Sequence, residues 1–157
     1  MIVFSNTTPF VALASIQQLD LMPRLFQRIH VVEEGVAECR AGGRIPVPEL
    51  TRLPWIQVVS ATPLVYSTLL LALDKGEKHT LDMAIQYRAD WVIIDEKIGR
   101  NVAEYLGLNV VGTLGILLKA KQAGWIVSFS QSVMAMQSQG IFYHPRLIRK
   151  LATAVGE

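Results

Sequence analysis

The sequence predicts an α/β fold built on a central, mainly parallel sheet of four to five strands. Two patterns carry that expectation. Short apolar runs alternate with segments of helical period, and the run Trp91-Val92-Ile93-Ile94 is apolar throughout, as a strand covered on both faces must be. A third observation says where chemistry would lie: that run stops at Asp95-Glu96, two acids delivered at the carboxyl end of a buried strand.

Taken in order, residues 2–4 read as a first short strand, followed by the polar turn Ser5-Asn6-Thr7-Thr8 and a helix over 10–16. Thr7-Thr8-Pro9 has the form of a helix cap followed by proline at the first helical position. A second helix spans 20–28, with Leu21, Leu25 and Phe26 on one side, and 30–32 is a second strand. The helix over 33–40 opens on acids, as its dipole favours. AGGRIPVPEL (41–50) is a loop, 55–59 an edge strand and 63–73 a helix. Lys75-Gly76 opens a helix from Glu77 to about Arg88, followed by the strand 91–94, a helix over 96–105, a strand over 109–111 and a helix over 113–123. Segments 127–139 and 145–154 are helical in period. Alternation of this kind places helices on both faces of the sheet.

The 157 residues suit one domain, with 126–157 as a helical extension packed on it. Hydrophobic content of 51% excludes a disordered chain. A single cysteine, Cys39, excludes an intrachain disulfide framework and suits a reducing cytoplasm. MIVFSNTTPF lacks the basic flank of a signal peptide, and the greasiest stretch, LVYSTLLLALD, is too short to span a bilayer, so no membrane is expected. A formal charge of +2 argues against a DNA-wrapping protein but not against a nuclease, whose acidic site masks its basic rim.

In open parallel sheets, ligands bind outside the carboxyl ends of the strands. Here those ends offer Ser5, Asn6 and Thr7; Glu33, Glu34 and, one turn on, Glu38; Asp95 and Glu96; Gly112 and Thr113. Glu77 leads the stripe Thr80, Leu81 and Ala84, with His79 and Asp82 expected on the opposite, wet side. Two carboxylates about 5 Å apart repel by roughly 3 kcal/mol at an effective dielectric near 20. Converging acids therefore call for a cation or for protonation. An all-oxygen set suits Mg²⁺ or Mn²⁺ over zinc, and such ions position water against a phosphate. His30, His79 and His144 have no ligand spacing.

The blocks SNTTPFVALASI, VVEEGVAE, LDKGEKHTLDMA and ADWVIIDEKIGRNVAEYLGLNVVGTLGILLKAK, in that order and spacing, resemble the PIN-domain family of metal-dependent ribonucleases. More narrowly they resemble a branch of short prokaryotic proteins known as a domain of unknown function, whose C-terminal helix GIFYHPRLIRKLATAVGE also resembles. The resemblance implies a three-layer α/β/α sandwich and an endoribonuclease preferring single-stranded RNA, in many cases the toxin of a pair with a small antitoxin. It implies metal-binding acids at Asn6, Glu38, Glu77 and Asp95, with Glu38, Glu77 and Asp95 catalytic and Thr7 and Thr113 supporting the pocket.

Asn6 departs from the family, which usually has Asp there. An amide still offers a carbonyl oxygen to a hard cation, but three acids in place of four lower both their mutual repulsion and the pull on the ion. Weaker metal binding and slower chemistry are expected. The alternative is a catalytically silent module that binds RNA or a protein partner. Lys97, Arg100 and Arg40 are candidates for the RNA phosphates, with Arg44 nearby in sequence. A phospho-acceptor receiver would need an acidic pair after the first strand and a lysine after the last, where this chain has Ser5-Asn6 and Gly112-Thr113. A homodimer is expected; residues 10–13 and 63–73 are apolar enough to form its face, with burial in the core as their default reading.

Overall fold

The structure, a computed structural model, describes residues 1–60 and 62–157. Five parallel strands form one sheet: β1 (Val3–Ser5), β2 (Ile29–Val32), β3 (Ile56–Val59), β4 (Trp91–Ile93) and β5 (Asn109–Val111), in the order β3-β2-β1-β4-β5. The chain first winds outward from β1 through β2 to β3. It then crosses back to lay β4 against the other side of β1, pairing Val3 with Trp91 and Ser5 with Ile93. That reversal puts the topological switch point between β1 and β4, where open α/β sheets form their binding crevice.

The central strands β1 and β4 are buried on both faces, and their side chains alternate between two cores. Val3, Ile29, Val31 and Ile93 point into the larger core. There they meet α1 (Thr7–Ser15), α2 (Leu21–Phe26), α6 (Thr113–Gln122), α7 (Phe129–Ser138) and α8 (Pro145–Ala154), which buries Ala152 and packs Ile148 and Leu151 against that core. Phe4, Val32, Val92 and Ile94 point into the other, against α4 (Lys75–Gln86) and α5 (Lys97–Tyr105). The remaining helix, α3 (Glu33–Ala41), contacts α1 and α4 and adds Val36 to the larger core. The predicted parallel sheet with helices on both faces is the observed one, and the 55–59 strand is at its edge as expected.

Three local expectations are corrected. Helix α1 begins at Thr7 with Asn6 as its cap residue, so Pro9 is the third helical residue. Proline is tolerated there because that N–H has no intrahelical partner. The segment 63–73 is not a helix: it holds only a 3-10 turn at Ser67–Leu70. Leu70 and Leu73 are buried while Leu71 is 73% exposed, so the helical spacing of these leucines is met by an irregular strap. The third correction explains the strap. Asp82, expected on the wet face of α4, is fully buried and accepts hydrogen bonds from the backbone N–H groups of Val65 and Tyr66 at 2.9 and 2.7 Å. Gln86 donates to its other oxygen. The backbone donors of Val65 and Tyr66 are thus paired by one carboxylate of α4.

Phe10, Ala12 and Leu13 are fully buried and so offer no dimer face, whereas Val65 is exposed on the strap. Among the described residues no helix is long and apolar enough to cross a membrane.

Glu157 closes the chain against α7. Its carboxylate accepts from Ser128 Oγ at 2.7 Å and from the backbone N–H groups of Phe129 at 2.8 Å and Ser130 at 3.0 Å. These donors, Ser130 and Ser128 foremost, hold its pKa down at about 2. A depressed carboxyl stabilises the fold above its unfolded value near 4.5, and that contribution disappears as pH falls through about 2. Thermal midpoints of the parent and of Glu157→Gln are therefore expected to differ near neutral pH, parent higher, and to converge as pH falls across that window.

Candidate active site

Each strand end at the switch point carries a polar group, and each group is held by a different device. Ser5 and Asn6 are buried at the end of β1, and Asn6 N–H bonds to Ile93 O across to β4 at 2.9 Å. Although Asn6 is the cap residue of α1, its side chain makes no capping bond. Its amide is therefore not spent on the helix start, the role that would explain it most simply.

Glu38 lies one turn into α3 and accepts from Thr7 Oγ1 at 2.8 Å. Its carboxylate rests on Gly76, where any β-carbon would collide with it. Gly76 thus lets Glu38 close on the first turn of α4, whose next residue is Glu77. That helix starts with a reciprocal cap: Asp74 Oδ1 accepts from Glu77 N–H at 2.9 Å, while the Glu77 carboxylate reaches back to Asp74 N–H. Glu77 is only 6% exposed. Burial pushes its carboxyl up, and the carboxylates of Asp74, Glu96 and Glu38 push the same way against the Asp74 N–H. Glu38, Glu77 and Glu96 therefore share one electrostatic neighbourhood, gathered from α3, α4 and the start of α5.

Asp95 occupies the other side of the crevice. It does not cap α5: Glu96 does, accepting from Gly99 N–H at 2.7 Å. Asp95 instead takes the N–H and Oγ1 of Thr113 at 2.6 and 2.7 Å and the Tyr143 hydroxyl at 3.3 Å. Thr113, the first residue of α6 after β5, is fully buried. Tyr143 comes from the segment before α8, and burial and the nearby Asp95 carboxylate push its hydroxyl pKa up. It therefore stays a hydrogen-bond donor. Sequence reading missed Tyr143 because nothing local marks a tyrosine 48 residues beyond its partner.

A cleft of about 450 Å³ opens beside Asp95, with Lys97, Arg100 and Tyr143 in its wall. Among the described residues neither cation forms an ion pair. Arg40, in contrast, is committed to Glu49, with Nε–Oε1 at 2.6 Å. The histidines lie elsewhere: His30 stacks on Phe4, His79 sits 3.7 Å from Glu34, and His144 caps α8.

Among the described residues no three His, Cys, Asp or Glu side chains are gathered as ligands of one ion. The structure brings Glu38 together with Thr7 and Glu77, and Asp95 together with Thr113. Sheet order places Asn6 between these two groups. The donor set nonetheless fits a hard divalent cation in kind. Every donor is oxygen, the neighbours that raise the Glu77 pKa are acids, and a carboxylate has about four acceptor sites, so holding Thr113 leaves Asp95 room for more.

A doubly wound parallel sheet with oxygen donors at its switch point defines a class of α/β proteins that bind or process ligands at the strand ends. The chain matches the family model DUF3368, described as a PIN domain, over residues 2–157, and belongs to that family. PIN domains are typically nucleases and typically bind Mg²⁺. No curated protein matches the chain.

Proposed function

We propose that the chain is a metal-dependent endoribonuclease that hydrolyses phosphodiester bonds of single-stranded RNA. The observation that supports it most is the row of oxygen donors along the carboxyl edge of the sheet in a member of a typically nucleolytic family. Glu38, Glu77, Asp95 and Asn6 would hold Mg²⁺ or Mn²⁺. When bound, such an ion polarises the phosphate and lowers the pKa of a bound water. The protein supplies the rest. Thr113 and Tyr143 fix Asp95 in one orientation, Thr7 fixes Glu38, and Lys97 and Arg100 hold the phosphate backbone. In this reading residues 1–157 work as one domain, 126–157 contributing Tyr143, and a small antitoxin that covered the crevice would silence it.

The second reading, a silent module that binds RNA or a protein, is favoured by one observation: Asn6 stands where the family usually has an acid. The two separate in a single comparison. Mn²⁺ titration by calorimetry and cleavage of a labelled single-stranded RNA should both respond in the parent chain if it is the enzyme. RNA binding with no response to metal supports the silent module.

Asn6→Asp sharpens the test. A fourth charge in this buried position is expected to tighten Mn²⁺ binding by about tenfold and to raise the cleavage rate. If both quantities stay at the parent value, the side chain at position 6 does not reach the ion.

A further inference from the structure

The cleft beside Asp95 extends well past anything a metal or a phosphate requires. Lys97, Arg100 and Asn101 stand in its wall near Asp95, and most of its remaining surface is apolar, formed by Val110, Leu114, Leu118, Leu147 and Leu151. Leu147 is 44% exposed on α8, where a solvated helix face would ordinarily be polar. Arg100 is held close by the backbone: a β-carbon on Gly112 would stand 2.5 Å from its Nη1 and 2.9 Å from Asp95 Oδ1. A side chain at position 112 would have to displace that guanidinium or that carboxylate.

We infer that this cleft seats one unstacked nucleotide of the RNA, its phosphate on Lys97 and Arg100 and its base on the leucine floor beside Tyr143. The inference rests on the ribonuclease reading and adds a base-binding slot to it. Unpaired cations beside an apolar hollow match the two halves of a nucleotide, an anionic phosphate and a flat apolar base. Leu114, Leu118 and Leu151 also serve the larger core, but Leu147 belongs to neither core, and a groove for phosphates alone would have no use for it. Bases of a duplex are stacked and out of reach, whereas those of a single strand can be splayed out and laid on a protein surface. A volume of about 450 Å³ also lies within the range of roughly 300–1,000 Å³ usual for sites that enclose one small ligand. Tyr143 lines the slot and hydrogen-bonds Asp95, so one side chain touches both the seated nucleotide and the acid that acts on its neighbouring bond.

The test uses the full chain, without divalent metal, and fluorescein-labelled single-stranded RNA octamers read by anisotropy. An abasic site is walked along the octamer. Loss of the base at one position is expected to weaken binding about tenfold, the worth of one base on a protein platform. Leu147→Glu, at a position exposed enough to keep the fold, should remove that positional dependence, and Leu147→Met should retain it, with circular dichroism confirming both folds. Equal affinity at every abasic position overturns the slot. So does Leu147→Glu with parental base dependence, or an absence of RNA binding altogether. Equal affinities together with sedimentation that shows self-association lost in Leu147→Glu overturn it in favour of a second copy of this chain in the cleft. Base-dependent binding in a chain that never cleaves RNA with Mn²⁺ would uphold the slot and sink the nuclease. Cleavage with base-independent binding would do the reverse.

Discussion

Asp95→Asn is expected to lower cleavage of single-stranded RNA by about a hundredfold or more and to leave the thermal midpoint nearly unchanged. The asymmetry follows from how Asp95 is held. Its oxygens accept from Thr113 N–H and Oγ1, with Tyr143 above them. Asparagine keeps the shape and one acceptor for the backbone N–H, while the Thr113 hydroxyl can turn to accept from the new amide. What disappears is the charge. In the proposed enzyme that charge faces a cation or a water, so the loss falls on chemistry and metal affinity. Initial rates with Mn²⁺, calorimetric Mn²⁺ titration and a thermal melt decide it together. A rate equal to the parent's would remove Asp95 from the reaction, and a collapsed melt would assign it a structural role instead.

Asp82→Ala should have the opposite profile. This acid lies on the core side of α4 and pairs the N–H groups of Val65 and Tyr66. Truncation leaves two part-buried backbone donors without their acceptor, at about 1–3 kcal/mol each, while the exposed Gln86 amide turns to water. A loss of about 2–4 kcal/mol is expected, seen as a fall of roughly 5–15 °C in the midpoint for a chain of this size. Because the strap at 63–73 packs on α4, proteolysis should then begin in that segment. An unchanged midpoint would mean that the strap contributes nothing to stability.

The same two residues show what a sequence can and cannot display. Asp95 was visible because a strand buried on both faces must be apolar, so its first polar residue marks the strand's end and hence the crevice. The other strands follow from the alternation of short apolar runs with helical segments, and each lies within a residue of its expected bounds. Asp82 was misplaced because helical period distinguishes wet from dry faces only when the covering element is known, and the strap was itself read as a helix. The candidate site divides in the same way. Gly76 directly before Glu77 sits in a local pattern that can be read directly. Tyr143 on Asp95, Thr7 on Glu38 and the nearness of Glu96 to Glu77 are meetings across distant segments, for which spacing gives no signal, and Arg40 reaches Glu49 only because the loop between them turns back.

The strand order has a consequence for how the molecule comes together. The half of the chain carrying Thr7 and Glu38 can organise through near-neighbour contacts, yet its middle strand waits for a mate 88 residues downstream, Trp91 beside Val3. Long-range pairings of this kind form slowly. Until β4 pairs with β1, Glu38 and Asp95 belong to separate pieces, and a nascent or partly opened chain would not hold the polar strand ends side by side.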